Sequence, residues 1–508
     1  MRYHILTHVA LAALFCVSAT GAVEQKRPNV LFIAIDDLND WISVFGGHPK
    51  AITPHMDRLA QSGAMVFQNA HCAGPVCCPS RSAMLSGFMP SRSGIYSNSQ
   101  NMLDAPLVQA HATLPEYFSK HGYVSLSMGK IFHKHAAKNG LDAGQWAYDI
   151  YEPARGGGGV NQGRLTSRNK NLINGKPGPP SQHNKGGGTE FAWAPTAKGK
   201  EATKDYQTAV WAGAQLQKSY DKPFFMAIGL SKPHLPFFVP QEFFDLYDPK
   251  EDYLPPIRED DLEDILTPRG KQKFQASGDY LWLKQNHLLN EAARAYLAAT
   301  SYADACLGVI FDALKTSPHY NNTIVFVWGD HGWHLGEKLR YRKGTGWSES
   351  TRIPFVVRMP GMTQRQDCTG LVNMIDFYPT LIDLCRLPAK STLDGRSFAR
   401  LLKTPNLKWD YPTVTINGEG NASVRDERWR FMRYNDGTEE LYDLQSDPQE
   451  WHNLITNPPV PGRKAMVHLA DLLPKTFAKA IPRSKGKYKK VRNLDTTIKA
   501  TRDLDKLK

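Results

Sequence analysis

The chain has 508 residues, 41% of them hydrophobic, with 62 Lys and Arg against 49 Asp and Glu and only 7 Cys. That apolar fraction over that length fills a proper core, which excludes a disordered chain, and seven cysteines are too few to staple a small disulfide scaffold. The formal net charge of +13 is concentrated in residues 461–508, which hold 14 Lys and Arg against 4 Asp and Glu; the body is close to neutral, unlike a basic domain built to hold nucleic acid, and no nucleic-acid partner is expected.

The N-terminus has one basic residue, Arg2, then the apolar stretch Ile5 to Val17, then small residues from Ser18 to Ala22. This pattern reads as an export signal over residues 1–22, too short for a comfortable membrane span. Cys16 lies inside it, and Phe15 fits poorly ahead of a lipid-modified cysteine. A periplasmic or secreted chain is expected, with six cysteines: Cys72, Cys77, Cys78, Cys306, Cys368 and Cys385. No later segment offers about 18 uninterrupted apolar residues, so no membrane span is expected.

Five short apolar runs read as strands, mostly buried on both faces: Val30–Ile35, Tyr123–Ser127, Pro223–Gly229, Thr323–Trp328 and Ile353–Arg358. Between and after them, Asn290–Lys315 and Asp376–Leu387 place apolar residues at three- and four-residue steps, the mark of core-facing helices. The alternation predicts an α/β fold with a mostly parallel central sheet sandwiched by helices. Residues 155–190, rich in Gly, Asn, Lys and Pro, read as a long loop, either a plain insertion or a substrate-facing lid. From about Tyr411 the runs Thr413–Ile416, Trp429–Arg433 and Glu440–Leu444 alternate, with Asn435-Asp436-Gly437 as a hairpin signal, so a small antiparallel sheet is expected there. The organisation predicted is a leader over 1–22, a catalytic domain over 23–408, and a C-terminal subdomain with a basic tail over 409–508. The tail reads as solvated, with collection of an anionic polymer as its functional alternative.

The stretch Cys77-Cys78-Pro79-Ser80-Arg81-Ser82-Ala83-Met84-Leu85-Ser86-Gly87 opens a helix where backbone N–H groups and Arg81 favour an anion. By itself it permits a thiolate nucleophile, a disulfide or a buried cysteine. Asp36 and Asp37 stand at the carboxyl end of the first strand, where open α/β sheets hold their ligands. Adjacent carboxylates repel each other unless a cation is present, so a metal site competes with a simple Asp-Asp turn. Asp330 and His331 close the Thr323–Trp328 strand in the same manner. His331 and His334 have the spacing of a zinc pair but lack an evident third and fourth ligand. Lys130 and His133 follow one strand, and Lys232 and His234 follow another.

The pattern C-x-P-S-R-x-x-x-L-S-G resembles the maturation motif of type I sulfatases, the formylglycine-dependent branch of the alkaline phosphatase superfamily. Phe88 stands where that motif usually has a basic residue. The resemblance runs from Pro28 to Asn453, and the stretches Gly129–His133, Lys232–Phe237 and Asp330–Glu337 look closest to the iduronate-2-sulfatases and their bacterial relatives. It implies an alkaline phosphatase-like fold and hydrolysis of sulfate monoesters on a sulfated carbohydrate. It implies that a formylglycine-generating enzyme converts Cys77 to formylglycine, with Cys78 as the variable position. It implies a divalent cation, Ca²⁺, held by Asp36, Asp37, Asp330, His331 and the side chain at position 77. Histidine stands at 331 where the family often has Asn.

By the same resemblance, Lys130, His133 and His234 surround the sulfate and Lys343 is the second sulfate-binding lysine, with Lys338 and Arg342 competing for that place. Arg81, Lys130 and Lys343 are expected to offset charge on the nonbridging oxygens, His234 to protonate the departing sugar oxygen, and His133 to assist the hydrated aldehyde. One hydroxyl of that gem-diol is expected to attack sulfur; loss of the proton from the other expels sulfate and restores the aldehyde. His135, Lys232 and His334 are expected to be structural or at the rim. The competing readings are a formylglycine-dependent phosphodiesterase or phosphonate monoesterase, and a noncatalytic binder of sulfated glycans. Cys368 and Cys385 are a candidate disulfide.

Overall fold

The computed structural model describes residues 26–133, 147–181, 183 and 189–484. The expected export segment, His135, the last part of the basic tail and a few positions of the 155–190 stretch lie outside the described residues. Eight strands form the central sheet: β1 (Asn29–Ile35), β2 (Met65–Phe67), β3 (Val124–Gly129), β4 (Ile150–Glu152), β5 (Phe224–Leu230), β6 (Thr323–Gly329), β7 (Phe355–Arg358) and β8 (Gln366–Cys368). Their order is β8-β2-β7-β6-β1-β5-β3-β4. The run β6-β1-β5-β3-β4 is parallel throughout. Only β7 runs against its neighbours β6 and β2, while β8 is parallel to β2. The expected strand Ile353–Arg358 is split at Pro354: Arg352–Ile353 pairs with Ala70–His71 in a separate small sheet, because proline has no N–H to give to a ladder.

The strands β1, β5 and β6 are buried along their whole length, and their side chains alternate between two cores. Leu31, Ile33, Met226, Ile228, Val325 and Val327 meet the long helix Leu289–Lys315 on one face. Val30, Phe32, Phe225, Ala227, Phe326 and Trp328 meet Phe377–Leu384 and the inner residues of Cys77–Ser86 on the other. Strands covered on both sides need apolar residues at every position, which is why these runs were continuous rather than alternating. The helix Leu289–Lys315 is long and apolar enough to cross a membrane by composition, yet its most apolar window is 78% buried inside the fold, as befits a core helix. The second expected helix is shorter than its sequence pattern. It spans Phe377–Leu384, is preceded by a capped turn at Met374–Asp376, and stops before Arg386, whose backbone is left-handed.

Two expectations are corrected. The stretch 155–190 is not a structureless loop. Thr166–Ser167, Leu172–Ile173 and Lys176–Pro177 join Ala192–Pro195 and Phe237–Val239 in a five-stranded sheet. Strands of two residues leave no periodicity to read, and the turns rest on Asn171, Asn174 and Gly175 at positive φ. The candidate disulfide is absent: all six described cysteines are free and buried. The Cys385 thiol bonds with the Tyr123 side chain, whereas the Cys368 thiol donates to the Pro405 carbonyl at 3.5 Å.

The C-terminal sheet has four antiparallel strands, Thr413–Ile416, Ala422–Arg425, Trp429–Arg433 and Glu439–Asp443; the second was not anticipated. Its last hairpin turns at Asn435-Asp436-Gly437, with Gly437 at φ 85° and its N–H donating to the Tyr434 carbonyl at 3.0 Å. The helix Val460–Leu472 packs on this sheet through Leu469. Arg430 is buried, donates to the Gly346 carbonyl at 2.7 Å and pairs with Glu450, binding the sheet to the larger body. The described part of the basic tail keeps Arg463, Lys464, Lys475, Lys479 and Arg483 exposed to solvent, as expected, but its backbone is anchored. Ala478, Ile481 and Ser484 donate backbone bonds to Ser91, Gly94 and Ser99, so this strap runs back along the segment that follows the Cys77 helix.

Candidate active site

The carboxyl ends of β1, β3, β5 and β6 converge, and each is followed at once by polar residues: Asp36-Asp37, Lys130, Ser231-Lys232 and Asp330-His331. Asp37 turns away from the strand at φ 62°, and its N–H donates to Asp330 Oδ1 at 3.0 Å, locking the two strand ends together. Gly129 and Gly229 permit the close approach of β3 and β5. A Cβ on Gly129 would lie 2.0 Å from the Gly229 carbonyl oxygen, and one on Gly229 would lie 2.2 Å from the Lys130 carbonyl carbon. Both glycines therefore fix where Lys130 begins.

The helix Cys77–Ser86 points its N-terminus at the same place. Cys77 is its first residue, and Arg81, one turn later, lies on the same face. Arg81 is fully buried; Nε donates to Asp330 Oδ2 at 2.7 Å, Nη2 to Asp36 Oδ1 at 3.2 Å, and Nη1 to the Lys130 and Ile131 carbonyls. One guanidinium thus holds a carboxylate from each of two adjacent strands. Ser80 donates its hydroxyl to the Asp330 carbonyl.

Cys77 Sγ lies 3.1 Å from Lys343 Nζ, 3.4 Å from His331 Nε2 and 3.8 Å from Asp37 Oδ1, and it bonds with the His133 side chain. Lys130 pairs with Asp36, and Lys343 with Asp37. Burial raises the Cys77 thiol, but Lys130, Lys343 and His331 outweigh it and hold the thiol well below its ordinary value. Burial likewise raises Asp36, and Lys130 reverses the effect, leaving it below the usual carboxylate range. His331 is raised to about 9: burial opposes its charge and Asp330 overcomes that.

Asp36, Cys77, Asp330 and His331 bring one ligand atom each within 4.8 Å of one another, and so do Asp36, Asp37, Cys77 and His234. Asp37 Oδ2 is buried with no hydrogen-bond partner among the described residues, an oxygen suited to a cation. His331 Nδ1 contacts the Gly332 carbonyl at 2.9 Å, so that nitrogen donates and Nε2 faces the cluster as an acceptor when the ring is neutral. Three carboxylates and one imidazole suit a hard divalent cation.

The structure brings together Asp36, Asp37, Cys77, Arg81, Lys130, His133, His234, Asp330, His331 and Lys343. His234 Nε2 is 3.7 Å from Asp37 Oδ2. Lys232 instead donates to the His234 carbonyl at 2.9 Å and bonds the Pro236 carbonyl, supporting the loop. His334 bonds Thr345 Oγ1 at 2.7 Å and takes no part in either ligand cluster, which dissolves the zinc pair. Lys338 is buried against Asp261, leaving Lys343 as the cation that reaches Cys77. Above the cluster is a cavity of about 490 Å³ lined by Lys130, His133, His234, Lys343, Asn98, Thr189, Trp333 and Arg342. Asn98 and Trp333 were missed. Asn98 Oδ1 accepts the Cys78 N–H at 2.8 Å, a contact across a loop with no local signature, and Lys343 stands 5.3 Å over the Trp333 ring.

Known proteins resemble this chain over nearly its whole length. A family model described as Sulfatase matches residues 28–387, and one described as N-sulphoglucosamine sulphohydrolase, C-terminal, matches residues 329–473. A protein of Formosa agariphila named Sulfatase is 36% identical over 94% of this chain and 92% of its own length. The iduronate 2-sulfatase of Mus musculus is 28% identical, over 75% and 74%. Among solved structures, one in complex with its substrate D-glucosamine-2-N,6-O-disulfate superposes with a TM-score of 0.64 at 18% identity, over 88% of this chain and 97% of that one. The phosphonate monoester hydrolase of Agrobacterium radiobacter does so at 0.65 and 20%, over 88% and 94%. At these identities the structural likenesses speak for the fold.

Proposed function

The chain belongs to the sulfatase family and is a sulfuric ester hydrolase, and from that premise we propose that it removes sulfate monoesters from a sulfated carbohydrate after Cys77 is matured to formylglycine. The observation that carries this reading is the set of Lys343, His331 and His133 around Cys77 Sγ, beside Asp36 and Asp330 held by Arg81 and Asp37 paired with Lys343. The thiol in the structure is the precursor, and its sulfur stands where the oxygens of the hydrated aldehyde would lie.

Asp36, Asp37, Asp330, His331 and residue 77 would hold a divalent cation, calcium in our reading. When present, the cation and the formylglycine supply positive charge beside the sulfate and a hydroxyl nucleophile, respectively. Lys130 and Lys343 sit where they offset charge gathering on the nonbridging oxygens in the transition state. Arg81 acts through Asp36 and Asp330, which it positions. His234 presents Nε2 toward the site and is assigned to protonate the departing sugar oxygen; His133, against residue 77, takes or returns the nucleophile's proton.

A sulfated sugar is supported by the relative named iduronate 2-sulfatase and by the disulfated glucosamine held by a structural neighbour. Thr189 on the cavity wall supports a substrate-facing role for the segment that ends at residue 190. We further assign export to residues 1–22, catalysis to 23–408 and a supporting subdomain to 409–508. The test is a parallel assay of the matured enzyme on sulfate and phosphate or phosphonate esters of one alcohol. Preferential sulfate release, abolished by Cys77→Ala, is expected; preferential phosphoester cleavage would move the assignment to the phosphonate monoesterase branch.

A further inference from the structure

Arg342 is adjacent in sequence to Lys343 but does not share its task. Its backbone is left-handed, at φ 80°, and its side chain lines the same cavity as Lys343. A bulky residue in that region costs about 1 kcal/mol or more, so the surroundings must hold it there. They do. Arg342 Nε pairs with Asp279 Oδ2, and its guanidinium lies 5.5 Å over the Phe191 ring.

Asp279 is itself shared. Its other oxygen accepts from Arg168 Nη1 at 2.8 Å, and Arg168 is buried and further anchored by donating Nε to the His183 carbonyl at 2.7 Å. Two guanidiniums on one carboxylate leave a net positive charge on this wall. Among the described residues Arg342 Nη1 and Nη2 have no hydrogen-bond partner, so one edge of a rigidly held fork remains for a ligand. Lys130 and Lys343, in contrast, are each matched to a carboxylate of the ligand cluster.

We propose that Arg342 is a specificity-determining residue that binds a second anionic substituent, a carboxylate or another sulfate, on the sugar whose sulfate ester is cleaved. This rests on the sulfatase reading and narrows its substrate class to sugars with two anionic groups. The planar fork suits either oxyanion, and the Asp279 contact fixes its position before the substrate arrives.

The test separates binding from turnover. Affinities are measured by calorimetry on the Cys77→Ala protein, with and without Arg342→Gln, for three probes: N-acetylglucosamine 6-sulfate, glucosamine 2-N,6-O-disulfate and iduronate 2-sulfate. The expected result is that at least one dianionic probe binds about tenfold or more tighter than the monosulfate, and that Arg342→Gln removes this advantage. Loss for the iduronate alone identifies a carboxylate, and loss for the disulfate alone identifies a second sulfate. Removing Arg342 leaves Asp279 paired with Arg168, and an unchanged melting temperature checks that the wall persists. Equal affinity for all three probes, or an advantage that survives Arg342→Gln, overturns the proposal. Failure of the parent reading looks different: the matured enzyme with Cys77 intact would release sulfate from none of the three.

Discussion

Lys343 Nζ stands 3.1 Å from Cys77 Sγ although 266 residues separate them. The same ammonium pairs with Asp37, so a single cation touches both the residue assigned to attack and a carboxylate assigned to the metal. Such a group is expected to act mainly on the transition state, where charge moves onto the sulfate oxygens. Lys343→Ala should lower kcat/KM by about 10²–10³, with melting close to the unsubstituted protein. Lys343→Arg should restore only part of it, because a planar fork does not fit a point-charge position. Steady-state kinetics on one sulfate ester checks both.

Asp330 serves two masters, the proposed cation and Arg81 Nε at 2.7 Å. Asp330→Ala leaves a buried guanidinium without that partner and should cost about 3–5 kcal/mol of stability. Asp330→Asn keeps the shape and an acceptor oxygen but removes the charge. It should fold, and elemental analysis should find less than one equivalent of calcium bound; full metal content in the Asn protein would remove Asp330 from the ligand set.

His334 gives the fold a sensitivity to acid. Burial, aided by Arg340 and Lys338, lowers its pKa from 6.5 to about 3. The unfolded chain therefore binds a proton that the folded one refuses. The stability tied to this ring is complete above pH 6.5 and declines as pH falls toward 3. Denaturant melts at pH 7 and pH 4 should differ less in His334→Gln than in the parent by about 1–4 kcal/mol, since each pKa unit is worth about 1.4 kcal/mol. An identical pH slope in the two proteins would refute it.

The strap at 478–484 predicts a difference between two truncations. Ending the chain after Leu473 removes the backbone bonds to Ser91, Gly94 and Ser99 and the packing of Phe477, and should cost about 1–3 kcal/mol. Ending it after Ser484 spares them and should leave the melting temperature unchanged. If the remaining basic residues collect polymeric sulfated substrate, the shorter deletion should also flatten the salt dependence of activity on a polymer; an unchanged dependence would leave them without that role.

What was legible in the sequence follows from length and locality. β1 and β6 are seven residues each, buried on both faces, so their apolar runs were unmistakable, and the acidic residues at their ends announced the site. β2, β4 and β8 have three residues each, too few for a period. The strand Ala422–Arg425 is buried at all four positions, yet it is only four residues long and mixes Ala, Ser, Val and Arg, so it shows no continuous apolar run. Arg81 was found through its motif, but its bridging of Asp36 and Asp330 depends on which strands are adjacent. Asp279 carried no signal at all: its meaning comes from Arg168 and Arg342, 111 and 63 residues away.

The most direct measurement is the mass of the peptide containing Cys77, taken on protein made with and without a formylglycine-generating enzyme, alongside sulfate release by the same two preparations. Cys77 should be converted to formylglycine in the first, and turnover should rise in proportion to the converted fraction. An unaltered thiol in protein that hydrolyses sulfate esters, or full conversion without hydrolysis of any sulfate ester, would contradict this.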